Sequence, residues 1–209
     1  PPNLHIHSWS PIPPRHPQHK YRSNTLYHQI KSRISTLYNL PEKQLLIYKS
    51  PQGKPAVFTQ KQDSCQRVDH CFISVSHTEN LSAWILQKNP CAIDIETICK
   101  RKHLPQLMRR LINTINHTHP DTHQFIKHPQ KNSSVCPIED SWLQLNPKEQ
   151  TLCFYKLWTF TESWCKWHDQ TLWQTFHQGL PFPWKSINNL LKCDHIAINT
   201  HCYANFYQT

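Results

Sequence analysis

The sequence predicts an α+β protein built from two lobes. Three stretches carry apolar residues at helical spacing, and they alternate with short apolar segments of strand length that end at turn-forming residues. The two halves of the chain, residues 1–92 and 93–209, each contain helix and strand patterns, so we expect the lobes to divide there. A chain of 209 residues is long enough for one large core or two small ones.

One core-packing helix is expected in the first half, among several short strands. Residues 4–6 alternate as in an edge strand, and residues 26–37 place apolar side chains at helical spacing. We expect this helix to be capped at Ser23 or Asn24, and Pro41 prevents its continuation. Further strands are predicted over residues 45–48, 72–75 and 81–86.

The second half contains the two clearest helical patterns. Residues 104–115 form the cleanest amphipathic pattern in the chain, and residues 147–167 form a long helix that begins after Asn146. The His-, Pro- and Asn-rich residues between these two helices are expected to form a loop over 116–147. A closing hairpin is predicted from strands over residues 195–199 and 202–207.

Composition bounds the partners without choosing among them. The formal net charge is +10, which favours an acidic protein surface or a polyanionic ligand, and nucleic acid also fits such a charge. No apolar run approaches the roughly 20 residues that a membrane helix needs, and no signal peptide is visible. We therefore expect a cytoplasmic protein that does not bind membranes.

The cysteines and histidines leave a zinc site open as an alternative. Nine cysteines are scattered without any C-x-x-C pair, which is typical of reduced cysteines rather than a disulfide framework. Four residues lie near one another in sequence, but their spacing fits no standard zinc-ligand pattern. They are Cys65, His70, Cys71 and His77.

Two acidic residues in an apolar segment are the first candidate site. Asp94 and Glu96 are flanked by Ile93 and Ile95, so on a strand both carboxylates point to one face and both isoleucines to the other. Two adjacent carboxylates repel each other unless a cation lies between them, and hard oxygen ligands favour Mg²⁺ or Ca²⁺. The alternative is an edge strand that carries two solvated acids.

The long C-terminal helix adds a third carboxylate. Trp158, Glu162 and Lys166 lie at positions i, i+4 and i+8, so a helix places them on one face. Trp158 by itself is expected to be a core residue. Glu162 and Lys166 would complete a site for a metal ion and a phosphate group.

Four motifs in this order resemble the 4′-phosphopantetheinyl transferases of the surfactin-synthetase-activating type. The motifs are Gly53-Lys54-Pro55, Ser74-Val75-Ser76-His77, Ile93-Asp94-Ile95-Glu96 and the helical segment from Trp158 to Lys166. The resemblance covers about residues 22 to 170. It implies a pseudo-duplicated, two-lobed α+β fold, with a metal site and a coenzyme A cleft at the lobe interface.

The resemblance also implies a role for each matching residue. Magnesium, or manganese, would be held by Asp94, Glu96 and Glu162. The phosphates of coenzyme A would be bound by Arg22, Lys54, Ser76, His77 and Lys166. Glu162 and Lys166 would be the catalytic residues, because Glu162 can take a proton and Lys166 can neutralise phosphate oxygens.

The activity implied is transfer of the 4′-phosphopantetheine arm of coenzyme A to a serine of an apo acyl or peptidyl carrier protein, with release of 3′,5′-ADP. Two features depart from the family: Thr161 stands where a lysine is common, and residues 168–172 replace a glycine-rich turn. A catalytically weakened relative is therefore one alternative, and a basic nucleic-acid-binding module is another. Nucleic acid is the less expected partner.

Overall fold

The computed structural model describes residues 3–8, 18–61, 64–116, 141–179, 195–198 and 201–207. It divides the chain into two compact units: the first contains residues 1–93 with 206–209, and the second contains residues 94–205. Most of the loop expected over 116–147 lies outside the described residues.

The architecture is mixed α+β, which confirms the predicted class. Helices and antiparallel strands occur together, and the described elements follow one another along the chain. They are β1 (Asn3–Ser8), α1 (Gln18–Tyr38), a 3₁₀ turn (Glu42–Gln44), β2 (Leu45–Lys49), β3 (Pro55–Lys61), β4 (Ser64–Arg67), β5 (Phe72–His77), β6 (Leu81–Gln87), β7 (Cys91–Thr97), α2 (Leu104–Asn116), α3 (Pro147–His168), α4 (Leu172–Gln178), β8 (His195–Ile198) and β9 (His201–Tyr207).

Two three-stranded sheets form in the first unit. One has the strand order β1–β6–β5 and the other β2–β3–β4, with every neighbouring pair antiparallel. β1 lies at the edge of its sheet, as expected from its alternating pattern, and its register places His5 opposite Trp84. The hairpin partners β3 and β4 were not predicted from the sequence.

Helix α1 supplies one side of the core of the first unit. Its residues Leu26, Ile30 and Ile34 are buried at helical spacing, as predicted, whereas Leu37, the last residue of the same pattern, is exposed. The helix begins at Gln18, earlier than the cap expected at Ser23 or Asn24, because no residue from Gln18 onwards interrupts helical hydrogen bonding. The side chains that α1 packs against include Leu45, Val57, Val68, Cys71, Ile73, Trp84 and Leu86.

A glycine turn joins β2 to β3 and orients Lys54. Gly53 has φ of 92°, a conformation that residues with a Cβ rarely adopt, and its N–H donates to Ser50 O at 2.8 Å. The Lys54 N–H donates to Ser50 Oγ at 3.0 Å. The backbone around Lys54 is therefore fixed by the turn.

The described residues of the second unit form the helices α2, α3 and α4 and most of a third sheet, which has the order β7–β9–β8. β8 and β9 form an antiparallel pair, so the predicted C-terminal hairpin is confirmed. Helix α2 lies within one residue of its predicted end and contacts both α3 and α4. None of the helices in the described segments is long and apolar enough to cross a membrane.

Both ends of α3 are defined by local hydrogen bonds. Asn146 caps the start in a capping box with Glu149, and Pro147 occupies the first turn, as predicted. At the other end Asp169 adopts the left-handed conformation with φ of 54°, and its N–H donates to Cys165 O. The helix therefore ends in a tight turn made without glycine, and α4 begins directly after it with Thr171 as its cap.

Candidate functional site

Strand β7 buries the first of the predicted acidic residues. Asp94 is 4% exposed and Ile93 and Ile95 are fully buried, whereas about a quarter of the Glu96 side chain is exposed. The strand is anchored just before Asp94, since the Ile93 N–H donates to Ser74 Oγ at 3.0 Å. Two solvated acids on an edge strand do not describe this segment, because Asp94 is withdrawn from water.

Helix α3 brings Lys166 into direct contact with this strand. Lys166 Nζ donates to Asp94 Oδ1 at 2.7 Å, while about a third of the Lys166 side chain stays exposed. The second carboxylate oxygen, Asp94 Oδ2, is buried and accepts no hydrogen bond from the described part of the chain. Glu162, one turn earlier on α3, is half-buried. The helix face predicted from the i, i+4 and i+8 spacing therefore lies against β7.

Both oxygens of Glu96 are held by side chains. Trp158 Nε1 donates to Glu96 Oε1 at 3.1 Å, and Arg101 Nη2 lies 3.3 Å from Glu96 Oε2. Trp158 is only half-buried, so the expectation that it is simply a core residue is wrong. Its ring is instead a wall of the site, with the indole N–H directed at a carboxylate.

Arg101 is a member of the site that sequence reasoning missed. Its Nε donates to Tyr155 Oη at 3.0 Å, and its guanidinium carbon lies 5.4 Å from the Trp158 ring centroid. Tyr155 Oη in turn donates to Cys99 O at 3.2 Å. Arg101 stands in a run of three basic residues, a pattern typical of solvated side chains. The sequence offers one signal for a further residue at this site: Tyr155 lies three residues before Trp158 on the same helix face.

The carboxyl groups repel one another, and this repulsion contributes to the raised pKa of Glu162. Burial first, and then Asp94 and Glu96, raise the pKa of Glu162 to about 7, against the opposing effects of Lys166 and Arg101. The pKa of Glu96 is also raised, first by burial and then by Asp94. Three carboxylates and two cations therefore form one electrostatically coupled cluster, which we call the carboxylate site.

The donor set of the carboxylate site suits a hard divalent cation. Carboxylate oxygens are the ligands that Mg²⁺ prefers, and a divalent cation would relieve the mutual repulsion of the three acids. As the side chains stand, the described segments contain no group of three His, Cys, Asp or Glu residues arranged as metal ligands. Instead, Lys166 forms an ion pair with Asp94. Cation binding therefore requires Lys166 to move off Asp94, which its flexible and partly exposed side chain permits.

Two of the residues predicted to bind coenzyme phosphates lie at one end of β5, and Arg22 contacts the hairpin that follows. Arg22 Nη1 donates to Glu79 O at 2.9 Å, in the turn between β5 and β6. Ser76 is buried and His77 is exposed, as expected for neighbouring strand residues that face opposite ways. The structure thus brings Arg22 close to the end of β5 that carries Ser76 and His77.

Lys54 is associated with the other end of β5. It is half-buried. Burial raises the pKa of the Cys91 thiol, and the positive charge of Lys54 lowers it. The Cys91 thiol contacts Phe72 O at 3.4 Å, at the first residue of β5. Lys54 therefore lies toward the start of the strand, about four residues away from the end with Ser76 and His77.

Thr161 faces the interior and away from the site. It is fully buried, and its hydroxyl donates to Leu157 O at 2.8 Å. A lysine at this position would have to bury its ammonium group or force the helix to shift, because the position has no exposed surface. The threonine is therefore a packing residue in this chain, whatever a lysine contributes at the corresponding place in the family that the motifs resemble.

No protein-family model matches the chain, and no curated protein matches it in sequence. The geometry of the carboxylate site and the four ordered motifs therefore carry the functional argument.

Proposed function

We propose that the protein transfers the 4′-phosphopantetheine arm of coenzyme A to a serine of an apo acyl or peptidyl carrier protein and releases 3′,5′-ADP. The observation that carries this proposal is the clustering of Asp94, Glu96 and Glu162 with Lys166 in the second unit. These are the carboxylates and the lysine that the motif resemblance singles out. The pseudo-duplicated two-lobed fold of the 4′-phosphopantetheinyl transferases is part of the same proposal.

The three carboxylates would hold Mg²⁺ or Mn²⁺. When bound, the cation would supply charge neutralisation for the pyrophosphate of coenzyme A and for charge that develops during transfer. Lys166 would leave Asp94 and donate to a phosphate oxygen. A lysine already poised at the carboxylate site has only to rotate its side chain to make this exchange.

Glu162 is the residue best suited to accept the proton of the attacking serine. In the transfer, the serine oxygen forms a bond to the β-phosphorus, and the bond from that phosphorus to the oxygen of 3′,5′-ADP breaks. The serine proton needs an acceptor, and the Glu162 carboxylate would take it directly or through a water molecule. Its position one turn before Lys166 keeps base and phosphate-binding cation on one helix face.

Arg101 and Trp158 would act as positioning residues. Together they hold both oxygens of Glu96, and Arg101 also ties the segment after β7 to Tyr155 on α3. A carboxylate held by two fixed donors has little rotational freedom, so it presents its remaining lone pairs in one direction. This arrangement favours a defined cation position over a loose acidic patch.

Residues of the first unit would bind the coenzyme. Arg22 and Lys54 are cations, and Ser76 and His77 offer a hydroxyl and an imidazole, all of which can donate to phosphate oxygens. Arg22 already donates one hydrogen bond to the backbone carbonyl of Glu79, in the turn that follows β5. These four assignments rest on the motif matches, and substitution of each residue tests them.

Mass spectrometry of an apo carrier protein tests the proposal. The carrier is incubated with the protein, coenzyme A and magnesium, and a parallel sample contains EDTA. We expect the carrier to gain the mass of one phosphopantetheine, and we expect the gain to disappear with EDTA. No gain on acyl and peptidyl carriers, with coenzyme A still bound, would leave a weakened relative. Absence of both transfer and coenzyme binding would refute the proposal and favour the nucleic-acid-binding alternative.

A further inference from the structure

A second group of titratable side chains surrounds a cavity in the first unit. The cavity has a volume of about 420 Å³ and lies between β1, α1 and β6. Its lining includes three histidines, one arginine and one tryptophan: His5, His7, His28, Arg33 and Trp84. We call it the imidazole cavity. Nothing in the transferase proposal uses it.

Trp84 fixes the two histidines of β1. His5 and His7 alternate along the strand and so face the same side. The His5 ring stacks on the Trp84 ring with 3.9 Å between centroids and 10° between planes. Trp84 Nε1 lies 3.4 Å from His7 Nε2, the distance of a weak hydrogen bond. The two imidazoles are therefore held in place before any ligand arrives.

Helix α1 contributes hydrogen-bond donors from the opposite wall. Ser32 and Thr36 lie on the cavity one turn apart, and Arg33 lies between them in sequence. Arg33 Nε and Gln29 Oε1 are both buried, and neither atom has a hydrogen-bond partner among the residues that the structure describes. A buried donor without a partner costs free energy, and this cost is relieved if the Arg33 side chain turns toward the cavity and meets an acceptor there.

The titratable side chains among the described residues that line the cavity are all basic. The described residues that line it include no Asp or Glu. Glu42, the acid next to His28, pairs with His28 Nδ1 at 2.8 Å. Burial lowers the pKa of His5, and Arg33 and His7 lower it further. Cationic and neutral donors are thus gathered in one place without a lining carboxylate, which is the arrangement an oxyanion requires.

We propose that the imidazole cavity binds the phosphate group of a small phosphate monoester. The guanidinium of Arg33 would supply the main charged contact, with His5, His7 and the Ser32 hydroxyl as further donors, since the Thr36 hydroxyl already donates to Ser32 O at 3.1 Å. The cavity volume lies within the range of small-molecule sites and leaves room for the organic part of the ester.

This site is separate from the residues assigned to coenzyme A. Arg33 follows Arg22 by eleven residues on α1, a helical rise of about 16 Å. The proposal rests on the first unit alone, so its failure would leave the transferase proposal untouched. The site suits a metal ion less well than an oxyanion. Trp84 directs its N–H at the Nε2 lone pair that His7 would need to coordinate a metal.

Histidine ring resonances measured by NMR give the direct test. The protein is titrated with inorganic phosphate and then with O-phosphoserine as a small monoester, and His5→Gln and His7→Gln spectra assign the two resonances. We expect saturable shifts at both rings with each ligand. Shifts from inorganic phosphate alone would contradict a monoester site. Absence of shifts at both rings would overturn the proposal, as would shifts caused by Zn²⁺ but not by phosphate.

A matched pair of arginine substitutions separates a site from general charge. Arg33→Gln is expected to weaken phosphate binding about tenfold or more, since it removes a charged hydrogen bond. Arg67→Gln is the control, because Arg67 is exposed on β4 and lines no part of the cavity. Arg33→Lys keeps the charge and guards against loss of folding in the glutamine variant. Equal weakening by Arg33→Gln and Arg67→Gln would overturn the proposal.

Discussion

The carboxylate site and the imidazole cavity are opposites in charge within one basic chain. The carboxylate site brings three acids together with two cations in contact, whereas the imidazole cavity brings histidines and Arg33 together with no acid in its described lining. The first therefore suits a cation and the second an oxyanion. A net charge of +10 describes neither region, because each site is defined by which charges the fold places next to one another.

The two regions also differ in the sign of their response to pH. Glu162 has its pKa raised from 4.5 to about 7, so folding takes up a proton between these values and the contribution of Glu162 to the free energy of unfolding falls as pH rises across them. His5 has its pKa lowered from 6.5, so folding releases a proton and the contribution of His5 to the free energy of unfolding falls as pH drops below 6.5. Substitutions can test each half of this contrast separately.

The largest effect is expected at Asp94. Asp94→Asn keeps the shape of the side chain but removes the charge that the cation and Lys166 both require. We expect phosphopantetheine transfer to fall about ten-thousandfold, measured by mass spectrometry of the carrier, because positioning of the phosphates by a metal is worth several kcal/mol. Asp69→Asn is the matched control on an exposed aspartate of the first unit. Transfer at the wild-type rate in Asp94→Asn would remove the metal site from the mechanism.

The next largest effect is expected at Thr161, on the face of α3 that points away from the carboxylate site. Thr161→Lys would place an ammonium group at a fully buried position, and we expect the free energy of unfolding to fall by about 4 kcal/mol. Urea denaturation measures this, and Thr161→Val is the control that keeps the volume. Unchanged stability together with faster transfer in Thr161→Lys would mean that this position belongs to the active face of the helix.

Glu162→Gln tests the acidic half of the pH contrast. In EDTA, we expect the variant to lose little stability between pH 4.5 and 7, whereas the wild type loses up to about 3 kcal/mol over the same interval. The variant should therefore be the more stable protein above pH 7. Glu79→Gln, at an exposed position, serves as control. Parallel pH profiles for Glu162→Gln and the wild type would contradict the coupling of the three acids.

His5→Gln tests the pH response of the imidazole cavity, and its effect should be the smallest because the His5 ring is only half-buried. Between pH 7.5 and 5 the wild type gains stability from Glu162 on acidification, and we expect His5→Gln to gain more below pH 6.5, because the variant lacks the opposing contribution of His5. Denaturation curves between pH 5 and 7.5 give the comparison, again against Glu79→Gln. A wild type that gains more stability than His5→Gln on acidification would reverse the assigned sign.

Sequence periodicity predicted the carboxylate site because its members lie at short, regular spacings. Alternation on β7 places Asp94 and Glu96, and the four-residue spacing on α3 places Glu162 and Lys166. Periodicity cannot show what lies opposite each face. For that reason the sequence favours a solvated Arg101 and a core Trp158, although both side chains contact Glu96.

The imidazole cavity could not be predicted from local pattern at all. Its histidines on β1 meet Trp84 only because β1 pairs with β6, more than 70 residues later in the chain. Their approach to Arg33 depends in turn on how α1 packs. Such contacts are set by pairing register and packing between distant segments, which composition and spacing do not encode locally.

Calorimetric titration with Mg²⁺ tests the central claim most directly. Wild-type protein, Asp94→Asn and Asp69→Asn are titrated at pH 7.5 without coenzyme. We expect one saturable Mg²⁺ site in the wild type and in Asp69→Asn, and its loss in Asp94→Asn, because Asp94 is the buried carboxylate of the cluster. No saturable binding to the wild type, or equal binding to all three proteins, would contradict a divalent-cation site at Asp94, Glu96 and Glu162.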